Sequence, residues 1–202
     1  MHVAITGNIG AGKTTLAGLL AKHYDWEVLY EAVDGNPYLA DFYGDMERWA
    51  FNLQMFFLKS RFSQVLEIQE TNKKYIQDRT IYEDAYIFAK NLNDSKLMSD
   101  VDYQTYKEFF DMMMSLVQPP DLMIYLKADL SKLTNQIKLR GREYESNISA
   151  EYLASLNNYY ENFIADFKDA KIITININDF DIMKPGDFEQ ITKMIDRALL
   201  YG

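Results

Sequence analysis

The segment from Gly7 to Thr14, with the letters GNIGAGKT, constrains the fold of this chain more than any other feature. It matches the pattern G-x-x-x-x-G-K-[ST] of a phosphate-binding loop. Glycines in such a loop let the backbone curl so that successive N–H groups point at phosphate oxygens, and the following helix adds the positive end of its dipole. Lys13 is then placed to contact the outer phosphates, and the hydroxyl of Thr14 is placed to bind Mg²⁺.

The residues that flank this loop support the same interpretation. Residues 2–6 read as a buried strand, and residues 13–23 carry leucines on one helical face. A dinucleotide-binding loop is the alternative, but its pattern G-x-G-x-x-G needs glycine at position 15, where this chain has threonine. The sequence therefore predicts a nucleoside triphosphate site. Its loop residues are Gly7, Asn8, Ile9, Gly10, Ala11, Gly12, Lys13, Thr14 and Thr15.

The composition excludes several function classes. The chain of 202 residues has no cysteine, which excludes disulfides, thiolate metal sites and cysteine nucleophiles and suits a reducing cytosol. A formal net charge of −9 is opposite to the basic footprint of a nucleic-acid-binding protein. No apolar run reaches membrane-spanning length, and the first strand begins too early for a signal peptide. We therefore predict a cytoplasmic protein with neither a nucleic-acid nor a membrane partner.

Short apolar runs alternate with longer helical patterns along the chain. The predicted strands are 2–6, 27–30, 74–77, 122–126 and 172–176, and the predicted helices are 13–23, 45–70, 80–92, 102–117, 130–139, 149–167 and 186–200. This alternation predicts an α/β fold, with a parallel five-stranded sheet flanked by helices in one domain spanning 1–202. Ligands of such sheets bind beyond the carboxyl ends of the strands, so polar residues that end strands are the candidate site residues.

Charged residues follow several of these elements. Glu31 ends the second strand and could accept a proton from a hydroxyl that attacks the γ-phosphate; a solvated loop acid is the alternative. Asp78 could hold Mg²⁺ and Arg79 could neutralise phosphoryl charge, or the pair could simply start a helix. Arg140 and Arg142 flank a glycine and could clamp polyphosphate in a mobile lid, or could end a helix.

Taken together, these motifs resemble the deoxyribonucleoside kinase family in order and spacing from Ala4 to about Phe180, and they look most like its bacterial deoxyadenosine kinases. The resemblance implies a P-loop kinase fold with a lid at about 138–147. It also implies that ATP, with Mg²⁺, phosphorylates the 5′-hydroxyl of a 2′-deoxyribonucleoside, and that the protein is a homodimer.

The resemblance assigns roles to residues around the reacting group and the sugar. Glu31 would be the base acting on the 5′-hydroxyl. Arg79, together with Lys13, would contact the reacting phosphates, and Asp78 and Thr14 would support Mg²⁺. The sugar 3′-hydroxyl would be bound by a side chain from the lid and one from the segment before the long helix, namely Glu145 and Tyr43.

The resemblance implies that other residues contact the two nucleobases, namely that of the nucleoside and the adenine of ATP. Gln54 would pair with the nucleoside base edge, and Arg61 and Asp84 would shape its pocket. Asp179 and Phe180 resemble the loop that covers the adenine of ATP. Pyrimidine-preferring relatives tend to carry apolar residues at the positions of Arg61 and Asp84, so the resemblance implies deoxyadenosine first, with deoxyguanosine and deoxycytidine next. A buried polar pair also discriminates strongly between base edges.

The chain departs from the family pattern in three places. Ala32 stands where proline is common, and residues 36–38 replace a tryptophan-containing segment of the animal enzymes. Gln136 stands where many relatives carry another lid arginine, so we leave Gln136 out of the predicted site.

Two other functions remain open from the sequence. A thymidylate-type nucleoside monophosphate kinase shares the phosphate loop and an Asp-Arg motif, although Glu31, Gln54 and Tyr43 suit a neutral nucleoside better than an acceptor phosphate. A nucleotide-switched binding protein, such as a small GTPase, is more remote. Its guanine-specifying Asn-Lys-x-Asp is incomplete here, because residues 72–75 read NKKY.

Overall fold

The computed structural model describes residues 1–200, and a parallel β-sheet forms its centre. The strands are β1 His2–Gly7, β2 Glu27–Leu29, β3 Tyr75–Asp78, β4 Leu122–Lys127 and β5 Lys171–Asn176. Their spatial order is β2-β3-β1-β4-β5, and every pairing is parallel. The predicted α/β fold with a parallel five-stranded sheet is therefore confirmed. The predicted domain also includes residues 201–202, which lie outside the described residues.

Strand β1 lies at the centre of the sheet and positions the phosphate loop. Val3 of β1 lies opposite Ile76 of β3 on one side and Leu122 of β4 on the other. Every residue of β1 is buried, because helices cover both faces of the sheet. The carboxyl ends of β1 and β3 meet at one edge, which brings the loop that starts at Gly7 beside Asp78.

The helices account for most of the remaining chain. Their bounds are α1 Lys13–Tyr24, α2 Leu39–Gly44, α3 Met46–Glu70, α4 Ile81–Glu83, α5 Lys90–Asp94, α6 Asp100–Met114, α7 Leu130–Arg140, α8 Ala150–Asp166 and α9 Pro185–Leu200. A π-helical turn, Asp84–Ala89, joins α4 to α5, and a 3₁₀ turn, Glu143–Asn147, lies between α7 and α8.

The apolar core forms a separate layer on each face of the sheet. Alternate residues of β4 show this, because Ile124 packs with the cluster around α1 and α9, whereas Met123 and Tyr125 pack with the cluster around α3, α6 and α8. The strand period of two thus divides one apolar run between two layers. Within residues 1–200, no helix is both long and apolar enough to span a bilayer.

Several element boundaries differ from the predictions. The predicted helix 80–92 is helical from Ile81 to Asp94, but its middle widens into the π-helical turn that begins at Asp84. The predicted helix 102–117 begins at Asp100 instead, since the Ser99 side chain accepts a hydrogen bond from the backbone N–H of Asp102 and caps the helix there. Helix α2 was not predicted, and it is only six residues long.

Candidate active site

The phosphate loop curls in the way that its glycines allow. Gly10 and Gly12 have φ values of 84° and 83°, in the left-handed region that glycine adopts without strain. A Cβ added at Gly10 would lie 2.7 Å from the carbonyl oxygen of Leu133, so no larger residue fits there. Gly12 also caps the N-terminus of α1, so the loop ends at the positive end of that helix.

Asn8 anchors the loop through its side chain. Its Nδ2 donates to the carbonyl of Leu153 at 2.9 Å and to Oδ1 of Asn157 at 2.6 Å, both on α8. Its Oδ1 accepts from the backbone N–H of Ile9 at 2.7 Å. The polar atoms of the Asn8 side chain are therefore all hydrogen-bonded within the protein. The side chain fixes the conformation of the loop and does not point a free group at a ligand.

Lys13 is buried at the start of α1 and folds back on the loop. Its Nζ donates to the carbonyl oxygen of Asn8 at 2.8 Å. Burial, and then the nearby charge of Arg79, lower the pKa of this amine to about 7, against the opposing attraction of Asp78, Glu83 and Glu31.

This amine should take up a proton when phosphate binds. At about pH 8 an amine with a pKa of about 7 is mostly uncharged, whereas a bound polyphosphate favours the charged form. We expect uptake of about one proton per ATP bound near pH 8 and much less near pH 6, where Lys13 is already protonated. Calorimetric titrations in buffers of different ionisation enthalpy measure this difference. Equal proton uptake at both pH values would contradict it.

Thr14 and Asp78 offer the oxygen ligands that Mg²⁺ prefers. The Thr14 hydroxyl donates to Oδ2 of Asp78 at 2.6 Å, and Oδ1 of Asp78 is buried with no hydrogen-bond partner among the described residues. Burial is the main cause that raises the pKa of Asp78, although Lys13 lowers it. Within residues 1–200 no set of three or more acidic or histidine side chains could hold a metal ion by itself. Mg²⁺ usually takes one or two protein oxygens and the rest from phosphates and water.

Glu31 lies between two buried arginines just beyond β2. Its Oε1 is 2.9 Å from Nε of Arg79 and 3.0 Å from Nη2 of Arg61. Burial raises the pKa of Glu31, but Arg79, Arg61 and Lys13 together lower it more and leave it at about 2. The carboxylate is therefore ionised at neutral pH and is held close to the phosphate loop.

A cavity of about 620 Å³ joins these groups into one site. It extends from the phosphate loop, past Glu31 and Arg79, to the aromatic and polar side chains of α2 and α3. The predicted site residues that line it are Ile9, Gly10, Gly12, Lys13, Thr14, Thr15, Glu31, Tyr43, Gln54, Asp78, Arg79, Asp84, Arg140, Arg142 and Glu145. A nucleotide site and a second, partly apolar site are thus continuous.

Near α3, several buried polar atoms at or behind the cavity wall make no hydrogen bond within residues 1–200. Oε1 of Gln54, Oδ2 of Asp84 and Nη1 of Arg61 are all buried without a hydrogen bond from any described residue. Arg61 does not line the cavity; it lies fully buried behind it, with Nε 3.5 Å from Oδ2 of Asp84. Burial raises the pKa of Asp84 to about 7, although Arg61 lowers it. Unpaired buried donors and acceptors beside Phe57 and Phe88 fit a flat, polar-edged ligand.

The predicted lid, about 138–147, covers the end of α7 and the 3₁₀ turn. Glu145 forms ion pairs with both arginines of the predicted lid. Its Oε1 is 2.6 Å from Nη2 of Arg140 and 3.4 Å from Nη1 of Arg142. Tyr144 from the same turn stacks on Tyr43 of α2, with ring centroids 5.9 Å apart. The lid therefore already contacts α2, and the carboxylate of Glu145 organises the cations that we predict to meet phosphate.

A sequence model described as deoxynucleoside kinase matches residues 3–200 of this chain. The chain belongs to the deoxynucleoside kinase family. It is 41% identical over 197 residues to the deoxyadenosine/deoxycytidine kinase of Bacillus subtilis (strain 168), covering 96% of this chain and 90% of that protein. It is 43% identical over 195 residues to the deoxyadenosine kinase of Dictyostelium discoideum, covering 96% of this chain and 77% of that protein.

Solved structures of the family agree with the fold. The deoxyadenosine kinase from M. mycoides with its products dCMP and a flexible dCDP aligns with a TM-score of 0.87 at 30% identity, covering 98% of this chain and 100% of that one. The same protein with bound dATP aligns with a TM-score of 0.86 at 30% identity, covering 97% and 100%. The predicted P-loop kinase fold and the resemblance to this family are thereby confirmed, and the monophosphate-kinase alternative is not favoured.

The predicted adenine loop lies apart from the main cavity in this deoxynucleoside kinase family member. Phe180 lines a small cavity of about 90 Å³ on the other side of the phosphate loop, beside Gly12 and Thr15. Asp179 does not line it; its Oδ2 accepts a hydrogen bond from Asn176 in the turn after β5. Of the pair, only Phe180 lines this small cavity.

Several residues of the site were missed from the sequence. Gln136, which was left out of the prediction, lines both cavities. Tyr144 and Tyr152 line the main cavity, and no spacing in the sequence marked either. Glu83 is fully buried against Arg79, and the pattern T-x-x-E that starts at Thr80 was the signal for it, since that pattern is typical of a capping box.

Proposed function

We propose that this protein transfers the γ-phosphate of ATP to the 5′-hydroxyl of a 2′-deoxyribonucleoside, with deoxyadenosine preferred and deoxyguanosine and deoxycytidine next. One observation carries this proposal. A single cavity joins the phosphate loop to buried oxygens of Gln54 and Asp84 that accept no hydrogen bond from any described residue, with Glu31 and Arg79 between the two ends. A nucleoside base at the polar end would direct its 5′-hydroxyl toward the phosphate loop.

The proposed reaction uses the groups at the centre of the cavity. The 5′-hydroxyl gives its proton to Glu31 while its oxygen forms a bond to the γ-phosphorus in line with the leaving group. The bond from that phosphorus to the bridging oxygen breaks, and ADP leaves with the electron pair. Lys13 and Arg79, joined by the lid arginines Arg140 and Arg142, offset the charge that develops on the transferred group.

The remaining roles concern the ion and the sugar. Thr14 and Asp78 would hold Mg²⁺, which when bound neutralises charge on the phosphates. Tyr43 and Glu145 would bind the 3′-hydroxyl, and the contact of the lid with α2 would keep water away from the γ-phosphate. Phe180 would cover the adenine of ATP beside the phosphate loop.

Base choice is proposed to depend on Arg61 and Asp84. Because Arg61 has no surface on the cavity, it acts on the base through Asp84, whose carboxylate lies at the cavity wall. A base edge without matching groups would leave Gln54 and Asp84 buried without a hydrogen bond, which disfavours that base strongly.

Replacing this pair should move the preference toward thymidine. The double change Arg61→Met with Asp84→Ala removes the polar groups that are proposed to disfavour thymidine, whose base edge differs from that of adenine. We expect the ratio of kcat/KM for deoxyadenosine over thymidine to fall by about 100-fold. Turnover should fall on every nucleoside, because Arg61 also holds Glu31, so the ratio rather than the rate is the readout. An unchanged ratio would remove both residues from base selection.

A homodimer in the cytoplasm is part of the same proposal. Exposed apolar side chains on α6, such as Phe109 and Met112, support a subunit contact there. The absence of cysteine is in keeping with a reducing compartment.

A further inference from the structure

Glu83 is a fully buried carboxylate to which the proposed reaction gives no role. Its two oxygens make separate sets of contacts. Oε2 accepts from the backbone N–H of Thr80 at 2.8 Å and completes a capping box at the start of α4. Oε1 instead accepts from Nη1 of Arg79 at 3.1 Å and from the hydroxyl of Tyr160 at 2.7 Å. A capping role explains the contacts of Oε2 but not those of Oε1.

Arg79 needs external support to keep its position. Its φ of 71° places a non-glycine residue in the left-handed region, which the backbone disfavours unless the surroundings hold it there. Its Nε pairs with Glu31 at 2.9 Å, and its Nη1 donates to the carbonyl of Gly7 at 3.1 Å as well as to Glu83 and to Tyr160. Among the described residues, its Nη2 makes no hydrogen bond, which leaves that nitrogen for a ligand.

Tyr160 connects this group to α8. Its hydroxyl accepts from Nη1 of Arg79 at 2.7 Å and donates to Oε1 of Glu83 at 2.7 Å, so the three side chains form a closed triangle. The ring is fully buried and stacks on Tyr125, with centroids 5.9 Å apart. The hydroxyl of Tyr160 is therefore fixed by packing and not only by its hydrogen bonds.

The same triangle touches the first residue of the phosphate loop. Arg79 donates to the carbonyl of Gly7, and Oε1 of Glu83 lies 3.4 Å from the backbone nitrogen of Gly7. Both polar groups of one loop residue thus face the triangle. The position of the Arg79 guanidinium is set relative to the loop that binds phosphate.

We infer that Glu83 and Tyr160 are positioning residues that hold the Arg79 guanidinium against Gly7, so that Arg79 meets the transferred phosphate in a fixed place. Neither residue lines the main cavity, so both act through Arg79. The inference rests on the proposed function, in which Arg79 contacts the reacting phosphates. A displacement of about 1 Å in such a group costs on the order of 100-fold in rate.

The variant Glu83→Gln separates positioning from capping. Glutamine also completes a capping box, so its oxygen can still accept from the N–H of Thr80. Its amide then presents a donor to Nη1 of Arg79, where the carboxylate presented an acceptor. We expect kcat for deoxyadenosine to fall by about 100-fold and KM to change by less than about threefold. Tyr160→Phe keeps the stacked ring and should lower kcat by about 10-fold.

Tyr125→Phe is the matched control. It removes the hydroxyl of the ring that stacks on Tyr160, and that hydroxyl bonds to Glu161 of α8, outside the site. We expect its kcat to equal that of the wild type within about twofold. Thermal unfolding of each variant shows whether it is folded at the assay temperature.

Combination with Arg79→Ala gives the decisive readout. If Glu83 acts only through Arg79, adding Glu83→Gln to the Arg79→Ala variant should lower its single-turnover rate by less than about twofold. The same loss with and without Arg79, or a normal kcat in Glu83→Gln, would overturn the inference. If the wild type fails to phosphorylate any deoxynucleoside, the proposed function fails instead, so the two failures are distinguishable.

Discussion

Replacing Glu31 with glutamine is expected to lower the turnover of deoxyadenosine by about 1,000-fold, while KM for the nucleoside changes by less than about tenfold. The amide has nearly the shape of the carboxylate and can still accept a hydrogen bond, but it cannot take the proton of the 5′-hydroxyl. Steady-state kinetics with saturating ATP measures both constants.

The surroundings of Glu31 explain why the loss should be large. The charge of Glu31 is shared between Arg79 and Arg61, and these two arginines lower its pKa to about 2. An amide removes one anionic partner from each guanidinium, although Arg79 keeps Glu83 and Arg61 keeps Asp84. The orientation of Arg79 is therefore weakened together with the loss of the base.

Glu27→Gln is the matched control for this change. Glu27 begins β2, the strand that precedes Glu31, but it is exposed and pairs with Lys73 at 2.9 Å, away from the cavity. The turnover of Glu27→Gln should equal that of the wild type. Equal turnover of Glu31→Gln and the wild type would remove Glu31 from the role of base.

Replacing Lys13 with methionine is expected to lower kcat/KM for ATP by about 1,000-fold. Methionine fills much of the space of the lysine stem without its charge, so the loop keeps its packing and loses the cation at the outer phosphates. The variant should also lose the proton uptake expected for the wild type near pH 8. Kinetics with varied ATP, together with calorimetry, measures both effects.

Lys22→Met controls for the loss of a positive charge from the same helix. Lys22 is exposed in the last turn of α1, far along the helix from the loop. Its kinetics should match the wild type. A Lys13→Met variant with normal kcat/KM for ATP would show that the loop does not bind the triphosphate as proposed.

Local patterns made much of the site predictable. The phosphate loop was predictable because its motif is contiguous in the sequence. Asp78 and Arg79 were predictable because polar residues that end neighbouring parallel strands meet at one edge of the sheet. Glu31 was predicted in the same way, and its contacts with two arginines, which no local pattern indicated, show that it is not a solvated loop acid.

Contacts between distant parts of the chain were not predictable in this way. Asn8 was assigned to the nucleotide with the rest of the loop, yet its side chain bonds to α8, about 150 residues away. Arg61 was expected to shape the base pocket directly, whereas packing buries it behind Asp84. The contact between Tyr160 and Arg79 depends on how α8 crosses the sheet, which no local spacing encodes.

The most direct test of the central claim compares acceptors side by side. Purified protein is given ATP and Mg²⁺ with deoxyadenosine, deoxyguanosine, deoxycytidine, thymidine or thymidine monophosphate, and the 5′-phosphorylated product is measured. We predict the highest kcat/KM for deoxyadenosine, lower values for deoxyguanosine and deoxycytidine, and little product from thymidine monophosphate. Phosphorylation of thymidine monophosphate alone would contradict the account, because Glu31, Gln54 and Tyr43 would then not form a nucleoside site.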